Sequence, residues 1–271
     1  MTIAVGLLIG LVLGLTGAGG SLFAVPLLAL LLHMPLQQAT GVALGAVAAS
    51  AFFGVLQRDR SDIAWTPALV ILVGGSLSAP LGRWLSAYFD ELWLLAAFSL
   101  LLLWVAFSMW RQALASPDKA QVLRAGSGHS ESVHPQAYCE KVDGQWRLGA
   151  PCVAVAGLGG IGAGVLSGLL GVGGGFVIVP LLTLVAGLTM QQAVASSLLV
   201  ISLVSGSGFL SYCWFSGGLD YLVLLQVSIG GVVGMLLGGR FAERLAGPHL
   251  QQGFAGMLLL TLAAMWLAAL G

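Results

Sequence analysis

Residues Leu169–Pro180 read LLGVGGGFVIVP, and a related stretch, GLTGAGGSLFAVP, occupies Gly14–Pro26. The two prolines lie 154 positions apart (180 − 26 = 154). At this offset Gly10, Gly14, Gly17, Gly19, Gly20 and Pro26 fall on Gly164, Gly168, Gly171, Gly173, Gly174 and Pro180. The repetition predicts that one structural unit is used twice.

The composition is that of an integral membrane protein. Of the 271 residues, 58% are hydrophobic and only 7% are charged, whereas soluble domains carry about 25% charged residues. The mean hydropathy is +1.01. No Lys, Arg, Asp or Glu occurs from Met1 to Gln57 or from Leu148 to Leu219, so both runs are predicted to lie in lipid or packed protein. Ten basic and ten acidic residues balance, which argues against nucleic acid as a partner because phosphate binding needs a basic surface.

Apolar segments, four in each half, predict an all-α fold of polytopic transmembrane helices. They run from Thr2–Leu32, Gln38–Leu56, Ile63–Leu85, Leu92–Trp110, Ala150–Ala186, Gln192–Phe215, Leu219–Gly239 and Gln251–Leu270. The first and the fifth exceed the ~20 residues that cross a ~30 Å hydrocarbon core, so each must be interrupted. Glycines followed by a proline, at Gly20–Pro26 and Gly174–Pro180, predict two half-helices that meet near the membrane midplane.

The polar stretch between the halves divides the chain into a first transmembrane repeat, a linker and a second transmembrane repeat, at 1–111, 112–149 and 150–271. Lys and Arg are concentrated in cytoplasmic loops. The linker, the loop with Arg58 and Arg60, and the loop with Arg240 and Arg244 are therefore predicted to be cytoplasmic. The first-half counterpart of the last loop would then face outward, so the halves are predicted to form an inverted repeat. Parallel halves of four helices each are the alternative.

The glycine cluster Gly171–Gly175 predicts a binding site for a small anion. Glycines that open a half-helix leave several backbone N–H groups unpaired at its positive end, which favours negative charge. The charge-free run Leu148–Leu219 strengthens this hypothesis, because helix dipoles would bind the anion without a permanent counter-ion. Two such sites, one per repeat, are expected to converge at the midplane. In the alternative interpretation the glycines form only a hinge or a tight helix crossing.

The candidate substrate-binding residues are the glycines of both motifs and nearby hydroxyls, namely Gly17, Gly19, Gly20, Ser21, Thr40, Gly171, Gly173, Gly174, Gly175, Ser196 and Ser197. Serine and threonine in membrane helices often bond their own backbone instead. Arg83 and Arg240 end their helices beside glycines and are expected to snorkel or to cap. Gly160, Gly164 and Gly168 predict close helix packing in lipid. The apolar segments contain no nucleophile–base pair or metal-ligand cluster, so no enzyme activity, metal or cofactor is expected.

Three motifs carry a family resemblance: G-x-G-G-G-F-x-x-V-P at Gly171–Pro180, A-x-A-S-S at Ala193–Ser197 and GGRFAERL at Gly238–Leu245. Together they resemble the sulfite exporter TauE/SafE family, also called toluene sulfonate uptake permeases, over both halves except the linker. The first half departs from the pattern, since Ser21 replaces the third glycine and Gly41–Ala43 stands where Thr-Ser is expected. The resemblance implies a multi-spanning carrier of the bacterial inner membrane for sulfite, sulfonates or related sulfur-containing anions.

The sequence thus predicts a secondary transporter, an exporter by resemblance, that moves sulfite or an organosulfonate by alternating exposure of a midplane site. Its other partner is the lipid bilayer, and a homo-oligomer is left open. The competing hypothesis is a non-transporting integral membrane protein whose glycines serve packing or assembly. Anion-dependent flux distinguishes the two.

Overall fold

The computed structural model describes residues 1–17, 20–59, 62–115, 140–142, 145–147, 149–216, 220–245, 256–264 and 266–267. The helices in chain order are α1 (Thr2–Thr16), α2 (Ser21–Leu32), α3 (Leu36–Leu56), α4 (Trp65–Ser86), α5 (Glu91–Ala115), α6 (Ala150–Leu170), α7 (Gly175–Ala186), α8 (Met190–Ser216), α9 (Tyr221–Leu245) and α10 (256–264). Two short antiparallel strands, β1 (Glu140–Val142) and β2 (Gln145–Arg147), lie in the linker. Gly19, Arg60 and most of the linker lie outside the described residues.

The predicted class, an all-α polytopic membrane protein, is confirmed. Within the described ranges, five helices are long and apolar enough to cross a membrane. They are α3, α4, α6, α8 and α9, and α1, α2 and part of α5 are shorter and equally apolar.

The predicted breaks in the first and fifth apolar segments are also confirmed. Helix α1 ends at Thr16 and α6 ends at Leu170, and the next residues, Gly17 and Gly171, both have φ of 72°. Left-handed backbone at a helix end strongly favours glycine, because any side chain would be strained there. The prolines do not make the breaks: Pro26 and Pro180 lie inside α2 and α7.

Helix α7 folds back along α6 instead of continuing its direction. A Cβ placed on Gly174, at the turn, would lie 2.8 Å from the carbonyl oxygen of Ala163. Further from the turn, Gly159 of α6 lies against the side chain of Leu181 of α7. From the first contact to the second, the residue number falls on α6, from Ala163 to Gly159, and rises toward α7, from Gly174 to Leu181. Helices α6 and α7 therefore form an antiparallel hairpin. With 12 residues, α7 is about 18 Å long, roughly half the hydrocarbon core.

Helices α1 and α9 pack backbone to backbone along a glycine seam. Gly6 lies against the carbonyl oxygen of Val227, Gly10 against that of Gly231, and Gly14 against that of Met235. The equal steps of four on both helices mean that they run in the same direction. Such close approach permits many weak Cα–H···O contacts and is possible only without side chains.

A second seam of the same kind joins α6 to α4. The stripe predicted from sequence is confirmed, since Gly160 lies against Ile71, Gly164 against Gly75, and Gly168 against Ala79. The steps are again equal, so α4 and α6 also run in the same direction. In both seams the first helix of one half is joined to the fourth helix of the other half.

Helices α3 and α8, which occupy the same place in the two halves, cross the centre of the bundle together. Gly41 lies against Tyr212, Gly45 against Phe209, and Gly54 against Leu198. The numbers rise on α3 while they fall on α8. These two equivalent helices therefore run antiparallel.

Cys152, in the first turn of α6, is buried and disulfide-bonded. Cys213 of α8 is a free, exposed thiol. The spacing of the cysteines does not indicate a disulfide.

Candidate functional site

The two glycine turns meet inside the bundle. A Cβ placed on Gly173, between α6 and α7, would lie 3.4 Å from Cβ of Ser21, the first residue of α2. The same point is 3.3 Å from Val47 Cγ1 of α3 and 2.9 Å from Ser205 Oγ of α8. Gly173 and Gly174 have φ of 72° and 66°, so both require glycine for conformational reasons as well.

Each turn also rests on the central helix of the other half. Gly17 lies against the side chain of Val194 on α8, and Gly171 lies against Thr40 on α3. At the repeat offset Thr40 corresponds to Val194 (40 + 154 = 194). Five predicted site residues, Gly17, Ser21, Thr40, Gly171 and Gly173, therefore lie where the glycine turns contact the other repeat.

The predicted hydroxyls are already engaged within the protein. Thr40 Oγ1 donates to the carbonyl oxygen of Leu36 at 2.8 Å, and Ser197 Oγ donates to that of Val194 at 2.8 Å. Ser196 Oγ accepts a hydrogen bond from the backbone N–H of Ala64 at 2.9 Å. Backbone bonding of this kind is common for serine and threonine in membrane helices. A role of these three hydroxyls in substrate binding stays a prediction.

The N-terminus of α7 presents backbone donors toward the junction. Its first helical hydrogen bonds are donated by the N–H groups of Val177 and Ile178 to the carbonyl oxygen of Gly174. The N–H groups of Gly175 and Phe176 precede these bonds and have no acceptor within the helix. They lie at the positive end of the helix dipole, which favours an anion.

The equivalent turn in the first half is capped internally. Thr16 Oγ1 accepts a hydrogen bond from the N–H of Gly20 at 3.0 Å and donates one to the carbonyl oxygen of Val12 at 2.7 Å. The residue that corresponds to Thr16 in the second half is Leu170 (16 + 154 = 170), which has no hydroxyl. The second turn therefore lacks this hydroxyl, and the prediction of one anion site in each repeat stays a prediction.

Sequence reasoning missed Ser205, which faces Gly173 from α8. Its side chain is fully buried, and among the residues that the structure describes its hydroxyl has no hydrogen-bond partner. A buried hydroxyl without a partner costs about 1–3 kcal/mol. Several other serines surround it in α8, so no sequence pattern distinguished it.

Arg83 is buried, so of the two expectations, snorkelling is wrong and capping of the helix end stays a prediction. Only 5% of the residue is exposed, because its guanidinium lies over the ring of Tyr212, with Cζ 4.7 Å from the ring centroid. Nη1 donates to Ser86 Oγ at 3.0 Å. In this part of the repeat the offset is 157, so Arg83 corresponds to Arg240 (83 + 157 = 240). Arg240 is exposed, as a snorkelling side chain would be.

A narrow crevice separates Arg83 from the second glycine turn. It is lined by Leu36, Gln37, Thr40, Arg83, Leu94, Phe98, Leu169 and Leu170. The crevice has a cavity volume of about 10 Å³, which is enough room for one water molecule. The crevice brings a positive charge next to Thr40, but in this conformation it is too small for an oxyanion.

Comparison with known proteins agrees with this architecture. The family described as "Sulfite exporter TauE/SafE" matches residues 2–265. A "Probable membrane transporter protein" of Xylella fastidiosa (strain 9a5c) is 30% identical over 269 residues, which cover 97% of this chain and 92% of the relative. The "Probable membrane transporter protein YdhB" of Bacillus subtilis (strain 168) is 29% identical, with 96% and 99% covered. No solved structure matches the chain.

Proposed function

The chain belongs to the sulfite exporter TauE/SafE family, and from this premise we propose that it exports sulfite or a small organosulfonate across the bacterial inner membrane. That the protein is a multi-pass membrane transporter follows from the family and from the relatives that match nearly its full length. The substrate is proposed from the family description together with the chemistry of the site.

The observation that carries this proposal is the junction of the two glycine turns. Gly173 lies against Ser21 and Ser205, and two residues further on α7 begins with backbone N–H groups that have no acceptor within the helix. Dipoles and hydroxyls bind an anion without a fixed counter-charge, so release on the other side stays easy. The narrow crevice beside Arg83 is consistent with a closed state, which alternating access requires.

The helix directions support the inverted-repeat topology. Equivalent helices of parallel halves would run in the same direction, whereas α3 and α8 run antiparallel. In the topology that we infer, each glycine-broken hairpin enters the membrane and returns to its own side. Both termini then face the periplasm, and the linker lies in the cytoplasm.

Sulfite and small sulfonates are expected to compete with one another for transport. Backbone amides and hydroxyls detect charge, size and oxygen geometry, and nothing at the junction is soft enough to select sulfur itself. The measurement is inhibition of labelled sulfite flux into proteoliposomes by sulfite, methanesulfonate and a neutral sulfone of similar size. Inhibition by the neutral sulfone, with none by the sulfonate, would contradict an anion site and favour a packing role for the glycines.

A reporter that is active only in the cytoplasm is expected to be inactive when it is fused after Gly271, and active when it is inserted in the linker. This result follows from inverted halves joined on the cytoplasmic side, with the basic loops inside. An active C-terminal fusion combined with an active linker fusion would contradict the inversion.

The disulfide at Cys152 provides an independent control on orientation. Disulfides persist in the periplasm and are rare in the cytosol, whereas the distribution of Lys and Arg assigns this end of α6 to the cytoplasm. The disulfide at Cys152 therefore argues for the opposite orientation, and the distribution of Lys and Arg argues for the proposed one. Maleimide labelling of denatured protein from growing cells, with and without prior reduction, decides between the two. If the Cys152 thiol reacts only after reduction, the orientation in the membrane is the reverse of the proposed one, and the linker lies in the periplasm.

A further inference from the structure

Most serines of α8 near Ser205 bond their own helix, and Ser205 does not. Ser197, Ser202 and Ser207 each donate to the carbonyl oxygen three residues earlier, at 2.8, 2.8 and 2.9 Å. Ser205 is fully buried, and within the described part of the chain its Oγ has no hydrogen-bond partner. The same helix therefore offers its hydroxyl a common way to be satisfied, and Ser205 does not use it.

The unpartnered hydroxyl points at the second glycine turn. Oγ of Ser205 lies 2.9 Å from the position that a Cβ of Gly173 would occupy. The N-terminus of α7, with the open N–H groups of Gly175 and Phe176, begins two residues further on. A side-chain donor of α8 and backbone donors of α7 thus lie at the same turn.

The first repeat lacks the hydroxyl of Ser205. At the repeat offset the counterpart of Ser205 is Ala51 (205 − 154 = 51). The N–H of Gly20, beside the start of α2, is already bonded to Thr16. The unpartnered hydroxyl of Ser205 therefore distinguishes the second turn from the first.

We propose that Ser205 is a substrate-binding residue whose hydroxyl donates a hydrogen bond to one oxygen of the transported oxyanion while α7 N–H groups bind another. This inference rests on the anion transport proposed above. An oxyanion suits the site because its several oxygens accept from separated donors at the same time. Gly173 is required there because a side chain would occupy the space between Ser205 and the anion.

The test compares Ser205→Ala with Ser202→Ala, a matched control one turn earlier whose hydroxyl is bonded to its own helix. The unfolding temperature of purified protein is measured in sodium sulfite and in sodium chloride at equal ionic strength, and KM is measured for sulfite flux. Ser205→Ala is expected to unfold in chloride at the wild-type temperature or above it, because an unsatisfied buried hydroxyl is removed. The extra stabilisation by sulfite is expected to disappear, and KM is expected to rise about ten- to a hundredfold.

A structural role of Ser205 would predict that the alanine variant is less stable without the anion. A binding role predicts that its stability in chloride is unchanged or higher while its affinity for the anion falls. Ser205→Cys, which keeps a weak donor of similar size, is expected to give a smaller rise in KM and serves if the alanine variant fails to insert. Suppose that the wild type transports sulfite, and that Ser205→Ala has a KM and a stabilisation by sulfite within twofold of those of Ser202→Ala. This result would overturn the role of Ser205. A wild type that neither transports nor is stabilised by any oxyanion would instead overturn the proposed function.

Discussion

Gly173→Val is expected to reduce sulfite flux to background in proteoliposomes while the protein still inserts. A β-branched residue at φ of 72° is strained by about 1–3 kcal/mol. Its Cβ would also fill the space between Ser205 and Ser21, at 2.9 and 3.4 Å. The nearest neighbours of this position are side-chain atoms, so the damage falls on the junction more than on the helix seams.

The matched control is Gly162→Ala on α6, where an added Cβ meets nothing within 4 Å. Its flux is expected to equal that of the wild type, with a gain in stability of about 0.5–1 kcal/mol from reduced backbone freedom. Gly174→Val is less informative, because its Cβ would lie 2.8 Å from the carbonyl oxygen of Ala163 and would force the α6–α7 hairpin apart. Wild-type flux from normally inserted Gly173→Val would remove Gly173 from the site.

Gly10→Val is expected to prevent the folded, monodisperse state altogether. An added Cβ would overlap the carbonyl oxygen of Gly231, and backbone atoms cannot move aside as a flexible side chain can. Overpacking costs about 1–3 kcal/mol where a core can adjust, and this seam has no side chains to rearrange. Size-exclusion chromatography in mild detergent and the unfolding temperature measure the effect.

Gly239→Val is the control for the seam, because it lies on α9 near the same interface and an added Cβ meets nothing within 4 Å. Its elution volume and unfolding temperature are expected to stay close to those of the wild type. A monodisperse Gly10→Val protein with an unchanged unfolding temperature would mean that the α1–α9 seam does not hold the fold together.

The helix breaks and the seam on α6 could be predicted because their signals are local. Gly171 and Gly174 stand in one short motif, and Gly160, Gly164 and Gly168 repeat at the helical period. Which helix lies opposite a glycine stripe depends on residues more than 80 positions away, and no spacing within the stripe encodes that partner.

The residues that were misjudged or missed depend on such distant neighbours. Arg83 looked like a snorkelling residue because it ends an apolar helix, and it is buried because Tyr212 of α8 lies beneath its guanidinium. Ser205 stands in a serine-rich helix and differs only in what faces it. In both cases the surroundings of a side chain are set by the packing of the two repeats against each other.

The two glycine seams also decide which parts of the protein can move as units. Each seam joins a helix of one repeat to a helix of the other, α1 with α9 and α4 with α6, at backbone contact distance. A sliding or opening motion between the repeats would have to break both seams at once. The rigid bodies of the transport cycle are therefore expected to be pairs of helices from different halves, α1 with α9 and α4 with α6. Each half thus contributes helices to both bodies. The anion is expected to pass between two bodies that neither half forms alone.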